Sequence, residues 1–184
     1  YNQSSGRTKG KLNYLDFDLF SATGSYVVIK NKIIYWASIC DSSVVHFKKD
    51  GSIGFKSPDC WKLLRENLPK HWMKIPESER KKIIRKTYRN GVDRNGKLIG
   101  YGVITGEKEA ERYLQFGKFE VEDGDLVIIL TDGFENYIKM ESFVKLFLYW
   151  PKDIKSKFKK ITKQKSIEDP NNFGRERTII AIKI

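Results

Sequence analysis

The sequence predicts an α+β fold. Runs of β-branched and aromatic residues cluster in residues 24–55 and return singly at 126–130 and 178–182. Between them, apolar residues recur at helical spacing in 58–90 and 137–165. The resulting order of strands, helix pair, strand, helix pair and strand lacks the regular alternation of a doubly wound sheet.

Residues 1–22 are rich in Gly, Ser and Lys and read as loop, with 1–20 a polar lead-in. The chain does not begin with Met, so the natural protein can start upstream. From Gly24, Tyr26-Val27-Val28-Ile29 and Ile33-Ile34-Tyr35-Trp36-Ala37 flank the polar break Lys30-Asn31-Lys32, the pattern of a hairpin. Val44-Val45-His46-Phe47 predicts a third strand, and Asp50-Gly51 a turn into Ile53 and Phe55. Residues 24–55 therefore read as an antiparallel meander, and its near-continuous apolar runs predict strands covered on both faces. Trp36, Phe47 and Tyr35 lie within these runs and are expected in the core.

In 58–90, Leu63, Leu64, Leu68 and Trp72 predict one helix, which Pro69 breaks or bends. Pro76-Glu77-Ser78-Glu79 opens a second, with proline in the first turn and acids at the positive end of the dipole. The Gly- and Asn-rich stretch 90–100 is a loop. Residues 100–104 form a short strand or extended turn, and Glu107 to Phe116 a short helix. Leu126-Val127-Ile128-Ile129-Leu130 is the clearest strand, five apolar residues bounded by acids. Thr131-Asp132-Gly133-Phe134 ends it. A helix is expected from Tyr137 to Trp150, a strongly basic one from Pro151 to Lys165, a loop from Ser166 to Arg175 and a last strand at Thr178–Ile182.

Composition excludes several classes. A chain of 184 residues with 40% hydrophobic content supports one domain with a core, and 13% aromatic content argues against disorder. No apolar run is long enough to span a bilayer, and the N-terminus has no apolar core of the signal-peptide kind. Cys40 and Cys60 are too few for a disulfide scaffold and read as unlinked, partly buried thiols of a cytoplasmic protein. No Cys/His spacing suggests zinc, and His46 and His71 read as structural or exposed. There is no P-loop or dinucleotide fingerprint.

The net charge of +12 is local. Residues 56–97 carry 13 basic and 5 acidic groups, and residues 152–165 carry 7 and 1, so the two segments hold +8 and +6 and the remainder −2. Such segments draw anionic partners, among them nucleic acid, anionic membrane and phosphorylated protein; solvated helix faces account for them equally well.

Asp132 is the most informative residue. A carboxylate directly after a buried strand leaves the core at the sheet edge, where ligands commonly bind. Gly133 would let the backbone turn sharply there. Such an acid suits a hard divalent cation, Mg²⁺ or Mn²⁺. The plainer reading is an Asp-Gly turn capping the next helix.

Several segments, in order, resemble the type 2C metal-dependent Ser/Thr protein phosphatases, in their bacterial form. Ser21-Ala22-Thr23-Gly24-Ser25-Tyr26-Val27-Val28 is similar to the family's Gly-Ser-Thr strand start. Ile39-Cys40-Asp41-Ser42-Ser43-Val44 resembles its Gly-Asp-Ser-Arg turn. Gly124-Asp125 through Thr131-Asp132-Gly133-Phe134 resembles its Gly-Asp, apolar strand, Asp-Gly segment. Arg177-Thr178-Ile179-Ile180-Ala181 is similar to the closing Asp-Asp-Arg-Thr strand. Tyr88-Arg89-Asn90 and Gly100 to Glu107 also look like bacterial relatives. The resemblance covers residues 21–184.

It implies a phosphatase 2C-like layered β-sandwich flanked by helix pairs and lacking its first strands. It also implies hydrolysis of phosphoserine and phosphothreonine in protein substrates by water activated between two Mn²⁺ or Mg²⁺ ions. Asp132 and Glu176 would be metal ligands, and Arg175 would hold the substrate phosphate. Asp41, Ser42, Gly133 and Thr178 would support the turns.

The departures are specific. The family's early Asp and Asp-Gly-His-Gly run have no counterpart in residues 1–20, where Asp16 and Asp18 are the only acids. Cys40 replaces a glycine and Ser43 an arginine. Arg175 stands where a metal-binding Asp is expected, and arginine cannot ligate a metal; Glu176 is the nearest substitute and Asp169 a looser one. A catalytically degenerate relative that binds partners or anions is the alternative reading.

Overall fold

The computed structural model describes residues 20–184, so the lead-in acids Asp16 and Asp18 lie outside the described residues. The chain divides into two compact units. Residues 39–41 and 58–115, with 20–24, belong to the first; residues 25–38, 42–57 and 116–184 belong to the second.

The second unit holds the two sheets of a sandwich. β1 (Gly24–Lys30), β2 (Ile33–Ile39) and β5 (Gln115–Glu120) form a three-stranded sheet in the order β1-β2-β5. β3 (Ser43–Phe47), β4 (Ile53–Lys56), β6 (Leu126–Leu130) and β7 (Ile179–Lys183) form a four-stranded sheet in the order β4-β3-β6-β7. All three pairings in the larger sheet are antiparallel. The β1-β2 hairpin is as expected, with Asn31 and Lys32 both in the left-handed region that tight hairpin turns need.

The expected continuous meander is instead two hairpins in two sheets. β2 pairs with β5 and β3 with β6, so β2 and β3 are not neighbours. The chain changes sheet at Cys40, whose φ of 64° turns the backbone out of the strand direction. Coverage on both faces holds for β3, of which four residues are buried, but not for β1, which is largely exposed. Trp36 and Phe47 are in the core, whereas Tyr35 is exposed because it lies on the opposite face of β2 from Ile34 and Trp36.

Period-two alternation along β3, β6 and β7 splits the core into two layers. Val44, Val127 and Ile182 face the three-stranded sheet and pack with Val27, Ile34, Trp36, Phe119 and Val121. Val45, Phe47, Leu126, Ile128, Leu130, Ile179 and Ala181 face the other way, onto helices. Those helices are α3 (Glu141–Tyr149) and α4 (Ile154–Glu168), and their contribution is aromatic: Phe143 stacks near Phe134, Tyr137, Phe147 and Phe158.

The expected 137–150 helix is divided. A single 3-10 turn at Tyr137–Lys139 ends at Met140, whose extended backbone (ψ 113°) starts α3 in a new direction. Trp150 in a left-handed conformation, followed by Pro151, closes α3. α4 runs past Lys165 to Glu168, and the expected loop contains α5 (Pro170–Phe173), with Asp169 capping it through Asn172 N–H and Pro170 at its first position. The lysines of α4 are exposed or half-buried, and Ile154, Phe158 and Ile161 form its apolar stripe.

The first unit contains α1 (Lys62–Asn67), a 3-10 turn at Trp72–Lys74, and α2 (Glu77–Ile83) continued by a π-turn at Ile84–Tyr88. Leu64, Tyr88, Tyr101, Val103 and Cys40 form its core with Trp61, Leu68, Ile83, Ile84 and Ile99. The expected helix from Glu107 to Phe116 is a 3-10 turn at Lys108–Tyr113 that gives way to β5, where pairing with β2 outweighs local preference. Gly117 of β5 lies under the Trp36 indole, leaving a β-carbon only 3.1 Å from Nε1. No helix of the described residues is long and apolar enough to cross a membrane.

Candidate functional site

The C-terminal end of β6 leads to Asp132. Ser43 pairs with Leu130 and Ile179 pairs with Leu130 from the other side, so β3, β6 and β7 all reach this edge. Beyond it, Thr131 N–H donates to Thr178 O (3.1 Å) and Thr178 N–H donates to Thr131 Oγ1 (2.9 Å). These two bonds carry the β6–β7 pairing one step past the strands and set Asp132 at the rim. Asp132–Phe134 is a 3-10 turn, with Phe134 N–H on Thr131 O and Glu135 N–H on Asp132 O.

Gly133 has a reason other than a left-handed turn, since its φ is not positive. A β-carbon there would lie 2.4 Å from Glu176 O and 2.7 Å from Arg177 Cβ. Glycine is needed so that the segment leading into β7 can lie directly on the Asp132 turn.

That segment also delivers Arg175. Its Nη1 donates to Asp132 Oδ2 at 2.9 Å, and both side chains are well exposed. Glu176 is exposed, and among the described residues its carboxylate has no hydrogen-bond or ion-pair partner. Thr178 serves through its backbone, and Asp169 is occupied as the cap of α5. Ser42 is buried in the second unit, whereas Asp41 belongs to the first.

Two residues at this edge were not singled out by sequence. Glu135 accepts from Ser43 Oγ (3.1 Å) and from Lys56 Nζ (2.6 Å), tying the Asp132 turn to β3 and β4. Arg177 donates through Nη1 to Phe173 O (2.6 Å) and Arg175 O (3.0 Å), and through Nη2 to Ser166 Oγ (2.8 Å). Its guanidinium also lies over Tyr137 (5.3 Å) and Phe134 (5.8 Å). Arg177 is therefore the brace that holds the 173–178 segment against α4. Its only signal in the sequence was its place beside Thr178 in the closing motif.

At the other end of β6, Asp125 is buried and accepts from His46 Nε2 (2.8 Å), Glu122 N–H (2.9 Å) and Lys49 N–H (3.0 Å). Burial opposes its charge, but these hydrogen bonds outweigh it and hold the carboxyl below the usual carboxylate range. The His46 ring stacks on Phe119 with centroids 5.2 Å apart. This pair lies at the far end of β6 from Asp132 and is structural, as expected of a histidine within a strand.

Among the described residues, no three His, Cys, Asp or Glu side chains converge as a metal ion would need. The edge instead presents one carboxylate already paired with a guanidinium, and beside it a second acid held by lysine and serine.

No family model matches the sequence, and no curated protein matches it. Solved structures do match. The S. agalactiae serine/threonine phosphatase aligns over 94% of this chain and 61% of its own, at 16% identity and a TM-score of 0.55. The Mycobacterium tuberculosis serine/threonine phosphatase PstP/Ppp aligns over 89% of this chain and 60% of its own, at 14% identity and a TM-score of 0.53. The catalytic domain of PstP in complex with two manganese ions aligns over 88% and 57%, at 15% identity and a TM-score of 0.50. The chain thus has the fold of the type 2C Ser/Thr phosphatases and spans about three-fifths of the length of these structures.

Proposed function

We propose that this chain is a type 2C-like Ser/Thr protein phosphatase domain acting on phosphoserine and phosphothreonine in proteins. The observation that carries the reading is Asp132, presented at the rim of the sandwich by the β6–β7 pairing and by Gly133, in a fold shared with solved Ser/Thr phosphatases. Mn²⁺ or Mg²⁺ is the cofactor this reading calls for, with Asp132 as ligand and Glu176 on the adjoining segment. One of the similar structures holds two manganese ions. The described residues do not fit such a pair by themselves, since three ligands do not converge among them.

What the chain's own residues do at this edge is hold and exchange charge. Asp132 and Arg175 are exposed enough that their pair is worth about 0–1 kcal/mol, so either partner is free to change hands. Arg175 can turn from Asp132 to a phosphoryl oxygen, which its planar fork suits. The exposed lysines of α4 would add long-range attraction for a phosphorylated protein or another anionic partner of segment 152–165, as would those of segment 56–97. A cytoplasmic location belongs to the same reading.

The Arg175–Asp132 pair favours a second reading, a catalytically degenerate domain that binds phosphorylated or other anionic partners. In it, the guanidinium supplies permanently the positive charge that a cation would bring to Asp132.

Hydrolysis of p-nitrophenyl phosphate and of a phosphothreonine peptide, with and without Mn²⁺, separates the two readings. Metal-dependent turnover that disappears in Asp132→Ala is the expected result. Failure of a folded protein to turn over either substrate or to bind Mn²⁺ by calorimetry would overturn the enzyme reading and leave the binding one.

A further inference from the structure

Cys40 and Cys60 are the only cysteines of the chain, and they meet in the first unit. Cys40 is buried at the point where the chain leaves β2, with its backbone in the left-handed region. Cys60 precedes α1 and is partly exposed. Cys60 is the largest influence on the Cys40 thiol, although the two residues are separated in the sequence by both strands of the β3-β4 hairpin. Both line one cavity of about 280 Å³, together with Lys62, Leu63, Arg112 and Tyr113.

Two thiols on the wall of one small cavity meet the first requirement for being linked, which is proximity. The cavity adds access for a small oxidant, and its two basic groups, Lys62 and Arg112, outnumber its one acid, Asp59, which favours an anionic oxidant. The Cys60 hydrogen bond, burial and the nearby Asp41 carboxylate push the Cys40 thiol up from its ordinary pKa. A raised pKa lowers the thiolate fraction of Cys40, so the first attack falls to Cys60, the more accessible sulfur, and Cys40 follows only once Cys60 carries the leaving glutathione beside it.

Independently of the phosphatase reading, we propose that Cys40 and Cys60 form a reversible disulfide by exchange with a low-molecular-weight disulfide of the glutathione type. In the first step, the Cys60 thiolate attacks one sulfur of glutathione disulfide. A Cys60–glutathione bond forms, the glutathione S–S bond breaks, and the released thiolate takes the proton that Cys60 gave up. In the second step, the Cys40 sulfur attacks Cys60 Sγ and displaces the second glutathione, which leaves with the Cys40 proton. Two protein thiols are oxidised and one glutathione disulfide is reduced to two glutathiones. The product ties the chain at Cys40, next to Asp41, to the residues that lead into α1.

The test is exposure of the full chain to glutathione disulfide at neutral pH. The sample is quenched in acid, unfolded, treated with N-ethylmaleimide and weighed intact, with a non-reducing gel run in parallel. The expected wild-type product is monomeric, lighter by two hydrogens, free of maleimide, and returns to two reactive thiols after dithiothreitol. Cys40→Ser should stop at one glutathione adduct on Cys60, and Cys60→Ser should keep one maleimide-reactive thiol and no adduct. A wild-type protein that keeps both thiols, accumulates a lasting glutathione adduct, or links only between molecules overturns the proposal. The wild-type measurement decides by itself should either variant fold poorly.

Discussion

Replacing Gly133 by alanine tests the construction of the Asp132 rim. The added methyl would sit 2.4 Å from Glu176 O and 2.7 Å from Arg177 Cβ, both fixed parts of the chain rather than flexible side-chain ends. Ordinary contact requires the 176–177 backbone to retreat by about 1 Å. That segment is held by the Thr131–Thr178 bonds of 2.9 and 3.1 Å, so the retreat lengthens or breaks them. Overpacking costs about 1–3 kcal/mol and each weakened hydrogen bond up to about 1 kcal/mol, giving roughly 2–4 kcal/mol in all. Equilibrium urea unfolding reads this as a lower midpoint at unchanged slope. Gly96→Ala is the control: its φ is +77° but no atom lies within 4 Å of a β-carbon there, so only backbone strain of about 1–2 kcal/mol is expected. A Gly133→Ala protein within about 0.5 kcal/mol of wild type, the range of ordinary surface substitutions, would refute the close-approach argument.

Arg177→Ala removes three hydrogen bonds and two ring contacts, so it should destabilise the protein by about 2–3 kcal/mol. Arg177→Lys, which keeps the charge but not the fork, should recover only part of that in thermal or urea unfolding. Asp125 has a folded pKa below its unfolded value, so its contribution is fully present above the ordinary carboxylate pKa of about 3.9 and is lost as pH falls through the folded value. Unfolding free energies measured from pH 7 down to about 2 should therefore fall less steeply for Asp125→Asn than for wild type in the acid limb, and equal slopes would count against the paired carboxylate.

Local pattern alone located much of the fold. β6 was legible because five apolar residues bounded by acids have no other stable place than a covered strand, and Asp132 was legible because it is the first charge after that strand. The basic helix at 154–168 and the β1-β2 hairpin follow likewise from periodicity and turn chemistry. The Asp169-Pro170 cap was also present in local sequence, but α5 is too short for periodicity to reveal.

Tertiary structure decided the rest, because it depends on residues far apart in the chain. Whether β3 continues the first sheet or opens a second rests on the backbone at Cys40 and on competition for β6, neither of which has a compositional signature. Gly133 reads as a turn glycine until Glu176 is brought against it. Arg175 becomes the partner of Asp132, 43 positions away, only through the β6–β7 register, and Cys60 comes to line the same cavity as Cys40 only in the folded first unit. Sequence by itself determined the β1-β2 hairpin, β6, the basic helix and which acid leaves the core, since those follow from the burial of near neighbours; β5 was read as the end of a helix because its pairing with β2 is not local. Only the folded chain determined which charge, methyl-sized gap or thiol each of those residues meets, since those are contacts between surfaces that burial brings together.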